Sequence, residues 1–569
     1  MTGDRVAEGP SSDCLGAVAG IVAESGVGKR RLREVLAMLT ERRQTMESLV
    51  SASALPRRTV ESLLRAADSD LDQNGSGFMI RPDRVAAYRD RFALGQLRRD
   101  QIPDPYETRL AAHSALVAQI DADITAAPAG REALDHVAAT AETVARRALW
   151  LNATFDLQGA RLLCIGDHDL SSLAICALVP EVAVTVVDLD ERLLEFIDAR
   201  AAQRGYDVQC LYADFRFGIP DVVAASADVV FTDPPYTPEG VELFLGRGMQ
   251  GLRDRVNGRL VMAYGFSSLH PALGMKVQRA VQNLDLVTEA ILPAFNRYHG
   301  AQAVGSASDL YVLRPTSRAF QILDKKLARA AVNIYTRGAQ SLEGRSGGLE
   351  PSVARAVISL ATGADDGKPS LLAGAGWPTM AAGPASSDLG ALLASGMPAS
   401  VGRRSPLEVA ANLADDPGPW LLRALAALNV DRLAVLVPNN HPDLASQESQ
   451  EALTRLVAAK YLLRLRRSSP VSSYAVVQAT AVRFENGPAP VAHDLLCRAH
   501  GKIGNVWREA LIRRGAEQLG KPLTKNEARS VIAGVVTRQS WLNARLTDLP
   551  RHAIRTLLDD AEASERALG

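Results

Sequence analysis

Short apolar runs alternate with stretches of helical periodicity through the middle of the chain. The runs Arg161 to Ile165, Val182 to Val187, Val208 to Tyr212, Val229 to Phe231 and Leu260 to Tyr264 are too short for helices, and helices are expected between them from Ser171 and from Glu191. This alternation predicts a Rossmann-like, doubly wound parallel sheet over residues 151–320, with ligands beyond the carboxyl ends of the strands. Most of the loops at those ends carry polar residues.

Upstream, Leu32, Val35, Leu36 and Leu39 repeat at helical spacing, and Thr45 precedes a short helix over Met46 to Val50. A turn at Ser51 to Pro56, a helix carrying Thr59 to Leu64, and Asn74-Gly75-Ser76-Gly77 ahead of Phe78-Met79-Ile80 complete a winged-helix pattern over residues 20–95. Arg57, Arg58 and Arg65 could meet phosphates or base edges, so DNA is a conceivable partner. The modest charge of that helix favours a dimerisation or lid module. Residues 105–150 read as a helical connector, with a helix starting at Thr140-Ala141-Glu142-Thr143 after Leu134-Asp135-His136.

After about Pro315 a helix is expected from Thr316 to about Ala339, then a Gly/Ala/Pro/Ser-rich linker over 340–420. Residues 421–569 read as an additional α/β to mostly helical domain, with strand-like Leu433 to Val437 and Tyr474 to Phe484, and a basic helix around Leu453 to Arg467. Arg464, Arg466 and Arg467 could meet an anionic partner, although such a run is usually a solvated face. The fold class is therefore α/β, in several modules.

Composition narrows the function. A chain of 569 residues exceeds one ordinary core, and 64 basic against 64 acidic side chains argues against a generic polyanion binder. Cys14, Cys164, Cys176, Cys210 and Cys497 are scattered, as expected of reduced cytosolic thiols. With no run of roughly 18 apolar residues, a soluble cytoplasmic protein without membrane contact is expected. His493, Cys497 and His500 have ligand-like spacing but no fourth ligand, so no metal is expected.

The chemistry concentrates in two loops. Phe231-Thr232-Asp233-Pro234-Pro235-Tyr236 reads as a buried strand ending in an acidic loop that two prolines stiffen. Asp233 can accept a hydrogen bond from a nitrogen nucleophile, and Tyr236 offers a flat wall. Where a nucleotide-binding fold carries glycines, this chain has Gly166-Asp167-His168-Asp169. Asp167 and Asp169 would repel the carboxylate of S-adenosylmethionine, whereas decarboxylated S-adenosylmethionine presents only cations; one of the two acids is expected to cap the helix from Ser171. Asp188 is placed for ribose hydroxyls, Asp190 for an N-cap, and Asp214 for an adenine amino group or a surface turn.

These motifs resemble the N4-bis(aminopropyl)spermidine synthases, which make branched-chain polyamines. Gly166-Asp167-His168-Asp169-Leu170 resembles that family's Gly-Asp-Asp-Asp-Leu, Asp233-Pro234-Pro235-Tyr236-Thr237 with Glu239-Gly240 matches its DPPYT loop, and Asp188-Leu189-Asp190-Glu191-Arg192-Leu193-Leu194 is similar as well. Leu134-Asp135 with Thr140 to Thr143 resembles the helix leading into its catalytic fold. The likeness covers about residues 20–315. It implies transfer of an aminopropyl group from decarboxylated S-adenosylmethionine, a co-substrate, to a secondary amine of spermidine, releasing methylthioadenosine and needing no metal.

By that resemblance Asp169 and Asp233 hold the acceptor amine and take its proton, Asp135 and Asp167 anchor distal ammonium groups, and Tyr236 walls the reacting methylenes. Gly166, Asp188, Asp214 and Pro234 belong to the donor side. Two departures stand out: His168 replaces an acid, and His270 stands where a further carboxylate is expected. The acceptor is then a polyamine of fewer charges or another amine, with His168 a neighbour or a base. A homodimer is expected. Two other readings stay open: an S-adenosylmethionine-dependent amino-methyltransferase acting on nucleic acid or protein, and a winged-helix DNA-binding regulator with a nucleotide-sensing domain.

Overall fold

The computed structural model describes residues 13–100, 104–328, 333–336, 348–379, 384–401, 406–484, 489–518 and 520–568. Four helices, α1 (Cys14–Glu24), α2 (Lys29–Glu41), α3 (Met46–Ser53) and α4 (Arg57–Ala67), precede an antiparallel hairpin of β1 (Leu71–Asn74) and β2 (Gly77–Ile80). Their facing stripes bury Leu36, Leu39, Leu49, Val60 and Leu63 in one core. Thr45 caps α3 by accepting from Ser48 N at 3.0 Å, as its position before the apolar period predicts. The start of α4 lies against the next unit, where Arg57 Nη1 donates to Gln302 Oε1 at 2.7 Å.

Helix α5 (Ala141–Thr154), capped by Thr140, leads into a seven-stranded sheet. Its strands are β3 (Arg161–Ile165), β4 (Ala183–Asp188), β5 (Val208–Tyr212), β6 (Val229–Thr232), β7 (Arg259–Tyr264), β8 (Leu286–Arg297) and β9 (Ala307–Pro315). The order is β5-β4-β3-β6-β7-β9-β8. The five predicted strands pair in parallel, and β9 and β8 add an antiparallel edge. Helices α6 (Ser171–Leu178), α7 (Glu191–Arg204), α8 (Pro238–Gly251) and α9 (Pro271–Asn283) join the strands. The strand order reverses between β3 and β6, so the loops after these two strands open a crevice at the carboxyl edge.

The span 340–420, expected as a linker, instead carries folded elements. Helix α10 (Pro351–Thr362) and strands β10 (Leu371–Ala373), β11 (Ala385–Ser387) and β12 (Glu408–Asn412) fall within it. They join β13 (Arg432–Pro438), β14 (Tyr461–Arg466) and β15 (Tyr474–Ala481) in a second sheet of order β11-β10-β12-β13-β15-β14. The strands β10 and β12 are only three and five residues long and are buried through their centres, so they show no alternation, and the Gly/Ala/Pro/Ser-rich sequence around them resembles a linker. Helix α11 (Trp420–Ala427) follows β12. Arg464 and Arg466 lie on β14 and not on a helix; the helical period there stops at Val457. Further helices, ending with α12 (Arg551–Arg566), close the chain. Among the described residues, no helix is long and apolar enough to cross a membrane.

Candidate active site

The chain leaves β3 through Gly166 at φ +74°, a conformation that spares the turn a Cβ. Gly166 N donates to Val187 O at 2.9 Å, tying the turn to β4. A cavity of about 600 Å³ opens beyond it, between the β3 and β6 loops. Gly166, His168, Asp188, Asp233, Pro234 and Tyr236 all line this cavity, as does Asp135 from the connector. Seven of the eleven candidate site residues thus converge, six from the ends of β3, β4 and β6 and one from the connector.

Asp233 lines this cavity from the β6 loop. Its Oδ2 accepts from Arg147 Nη2 at 2.8 Å and from the Tyr298 hydroxyl at 2.7 Å, and Oδ1 has no hydrogen bond among the described residues. Burial pushes its pKa up to about 6, against the pull of Arg147. The Tyr236 hydroxyl donates to Tyr298 at 3.1 Å, and its ring meets Tyr264 edge-on at 5.2 Å. That network fixes the aromatic wall.

Asp169 does not share this role. Its Oδ2 accepts from Arg147 Nη1 at 2.7 Å and its Oδ1 from Ala139 N at 2.8 Å, while it lines a second, smaller cavity of about 350 Å³. Burial alone would raise its pKa, but His168 and Arg147 hold it at about 2. The expectation that Asp169 and Asp233 jointly cradle the amine is corrected here: a fully buried guanidinium, Arg147, stands between them. It compensates both acids inside a site where an unpaired charge would be costly.

His168 forms part of the partition between the two cavities, its ring stacked on His136 with centroids 4.7 Å apart and planes 4° from parallel. Its Nε2 lies 2.8 Å from Val137 O and 3.2 Å from Asp169 Oδ1. Burial lowers its pKa, but Asp169 and Asp233 outweigh burial and leave it raised. His136 is driven down to about 3 by burial and by the neighbouring His168, which outweigh Asp190 and Asp169.

The remaining acids divide. Asp188 Oδ1 accepts from Asp190 N at 2.8 Å and Oδ2 from Asp167 N at 3.1 Å, and burial lifts its pKa to about 6. Asp190 caps α7 as predicted, accepting from Arg192 N. Asp167 faces Ser172 N at 3.1 Å at the start of α6, with a pKa pushed up by burial to about 7, and lines neither cavity. Of the two alternatives for the acidic pair, Asp167 takes the helix end and leaves no ammonium anchor there. Asp135, at φ +56°, accepts from Thr336 N at 2.7 Å and Thr336 Oγ1 at 2.5 Å, so the segment after the sheet folds back over the cavity mouth.

Two expectations fail on position. Asp214 is bound by Arg216 and by Trp420, Nε1 to Oδ2 at 3.0 Å, and does not line the cavity; Phe215 does. His270 is exposed at the N-cap of α9, because its loop turns outward after Ser267. Sequence reasoning also missed Arg147 and Tyr298. For Arg147 a signal exists: it shares the stripe Val144, Arg147, Ala148, Leu151 on α5, a charge on an apolar helix face. Tyr298 carries none, since only the antiparallel return of β8 brings it to Asp233.

The part of the chain that forms this cavity is similar to known proteins. Residues 116–322 match the family described as the branched-chain polyamine synthase A C-terminal domain. The chain is 35% identical over 179 residues to an uncharacterized protein of Methanocaldococcus jannaschii, covering 31% of this chain and 44% of that one. It is 33% identical over 120 residues to the N(4)-bis(aminopropyl)spermidine synthase of Thermococcus kodakarensis, covering 21% and 34%. It spans less than half the length of these two curated relatives. A solved branched-chain polyamine synthase of Thermus thermophilus, in complex with N4-aminopropylspermidine and 5'-methylthioadenosine, overlays with a TM-score of 0.38 at 20% identity, covering 54% of this chain and 93% of that one. The likeness to the branched-chain polyamine synthase A C-terminal domain thus lies in residues 116–322, the part of the chain that forms the seven-stranded sheet and most of its cavity.

Proposed function

We propose that the protein is an aminopropyltransferase, moving the aminopropyl group of decarboxylated S-adenosylmethionine to an amine of spermidine or a related polyamine and releasing methylthioadenosine. The observation that carries this is Asp233, one oxygen tied to Arg147 and Tyr298 and the other directed to a cavity walled by Tyr236, in a domain similar to that of the branched-chain polyamine synthases. The neutral acceptor nitrogen forms a bond to the propyl carbon next to sulfur as the carbon–sulfur bond breaks, and the bonding pair neutralises the sulfonium. Asp233 takes the proton the nitrogen then carries. Asp188 serves the ribose, Gly166 lets the donor approach the backbone, and Pro234 keeps the β6 loop in place. Because the leaving group is already good, alignment and charge placement supply most of the rate.

His168, with its raised pKa, adds positive charge to the acceptor side, which favours a polyamine of few charges. The N-terminal helices and hairpin are taken as a winged helix that packs on the catalytic unit as a lid or dimerisation module, with DNA not favoured, and a cytoplasmic homodimer is expected. Incubation with each donor in turn, and a panel of spermidine, spermine and short diamines, tests the reading by product mass. One aminopropyl group added, with methylthioadenosine released, is expected. Methylation from S-adenosylmethionine, or no product with any amine, would sink it.

A further inference from the structure

The second sheet repeats the first. Read from the parallel side, β4-β3-β6-β7-β9-β8 and β11-β10-β12-β13-β15-β14 run in the same chain order and in the same directions, and among the described residues only β5 has no counterpart. The helix before each first strand agrees as well. Without a gap from α5 into β3 and from α10 into β10, Val144, Ala145, Arg146, Leu151, Leu162 and Leu163 fall on Val353, Ala354, Arg355, Leu360, Leu371 and Leu372. In this alignment Ile165, the last residue of β3, falls on Gly374, which follows β10 at φ +83°.

The chemistry of the first copy is gone from the second. Arg147 falls on Ala356. In the sheet register Leu162 pairs with Val229 and Leu371 with Val409, so the residue after the strand, Asp233 in the first copy, is the buried Leu413 in the second. By the same count from Val184 and Ala385, Asp188 falls on Leu389. The glycine loop is closed on itself: Trp377 Nε1 donates to Ala373 O at 3.0 Å, Asn412 Nδ2 to Ala375 O at 2.7 Å, and Leu349 N to Gly376 O at 2.7 Å.

What the second copy keeps is the loop after β12, turned toward its sibling. Asp416 accepts from the backbone N–H groups of Gly418, Trp420 and Leu421 and lies 3.0 Å from His441 Nε2, which fixes the first turn of α11. From that turn the Trp420 indole reaches Asp214, and the Arg423 guanidinium lies 3.8 Å above the Tyr212 ring and donates to Glu191 at 2.7 Å. These contacts sit at the carboxyl edge of the catalytic sheet. Arg216 N and Nε donate to Asp214 Oδ1, and Arg216 Nη2 joins Trp420 on Oδ2, so all four acceptor positions of Asp214 are filled. The turn so held presents Phe215 to the cavity, edge-on to Phe244 with centroids 4.9 Å apart.

We propose that residues 350–482 are a second copy of the catalytic fold that has given up its own site and positions the donor pocket of the first, with Trp420 fixing the Phe215 wall through Asp214. The inference rests on the donor assigned to that pocket above. The full chain is titrated with 5'-methylthioadenosine by calorimetry, and the KM values for donor and polyamine are measured separately. Trp420→Phe keeps the ring and loses the N–H; removal of one hydrogen bond to a carboxylate should weaken methylthioadenosine binding and raise donor KM about tenfold, with polyamine KM and kcat held within about twofold. Unchanged binding in Trp420→Phe would overturn the inference alone. Failure of the unaltered protein to bind methylthioadenosine would overturn the donor reading and the inference with it. Parallel losses in both KM values and kcat would make Trp420 a merely structural residue. If Trp420→Phe does not fold, Trp420→His, which retains a ring N–H, should fold and bind near normally; loss of the fold in both variants counts against the inference.

Discussion

The Tyr298 hydroxyl donates to Oδ2 of Asp233 at 2.7 Å, on the oxygen that also receives Arg147. A donor to the ionised form favours it, so this bond restrains a pKa that burial would otherwise carry higher. Tyr298→Phe is therefore expected to move the acid limb of the kcat profile to higher pH and to lower kcat at neutral pH by about tenfold. A profile that keeps its midpoint would show that Tyr298 does not act through Asp233.

In the proposed mechanism Asp233 itself sets that limb. With its pKa near 6, the carboxyl is protonated and unable to take the amine proton below that pH, so kcat should rise as pH climbs through about 6. Asp233→Asn should abolish the limb and cost kcat on the order of a hundredfold or more, with methylthioadenosine binding retained. Calorimetry beside stopped assays over pH 5–8 reads both.

Arg147 is a structural charge as much as a local one. It is fully buried and pairs with Asp169 and Asp233 at 2.7 and 2.8 Å. Arg147→Met leaves two buried carboxylates without their cation, and urea unfolding should show a loss of about 3–5 kcal/mol. A loss below about 1 kcal/mol would mean that the acids find other partners or protonate without penalty.

His168 should tune the acceptor. Its pKa is raised because Asp169 and Asp233 outweigh burial, so it stays cationic to a higher pH than an ordinary histidine and would repel the proposed polyamine. As pH rises and the ring loses its proton, polyamine KM should fall, and His168→Gln should flatten this trend while leaving donor KM alone. A histidine-independent trend, measured with spermidine from pH 6 to 8, would point to the acceptor's own titration.

Gly166 should resist substitution. At φ +74° any Cβ is strained, and an ideal one would lie 3.6 Å from Phe244 Cε1 and 3.9 Å from Asp188 Oδ2, on the side proposed for the donor. Gly166→Ala is expected to cost about 1–2 kcal/mol of stability by urea unfolding and to raise donor KM. An unchanged donor KM would place the donor elsewhere.

The five parallel strands were legible because a strand buried on both faces must be a short apolar run, and the intervening helices carry their own period. The β6 loop was legible because proline and aspartate after such a run have few structural reasons to be there. The second sheet was not, since Leu371-Leu372-Ala373 and Val409-Ala410-Ala411 are too short to stand out from the Gly/Ala/Pro/Ser-rich stretch around them. Nor could the sequence distribute the acids: Asp167, Asp169 and Asp214 look as available as Asp233 until their donors, Ser172 N, Arg147 and the Arg216–Trp420 pair, are known.

By itself, then, the sequence determined the elements of the catalytic unit and the chemical character of its loops, because periodicity and turn chemistry act over a few neighbouring residues. Tertiary structure decided which carboxylate stays open. A buried acid takes its protonation and its role from whatever donors the fold carries to it, and for Asp233 those donors come from residues 86 and 65 positions away.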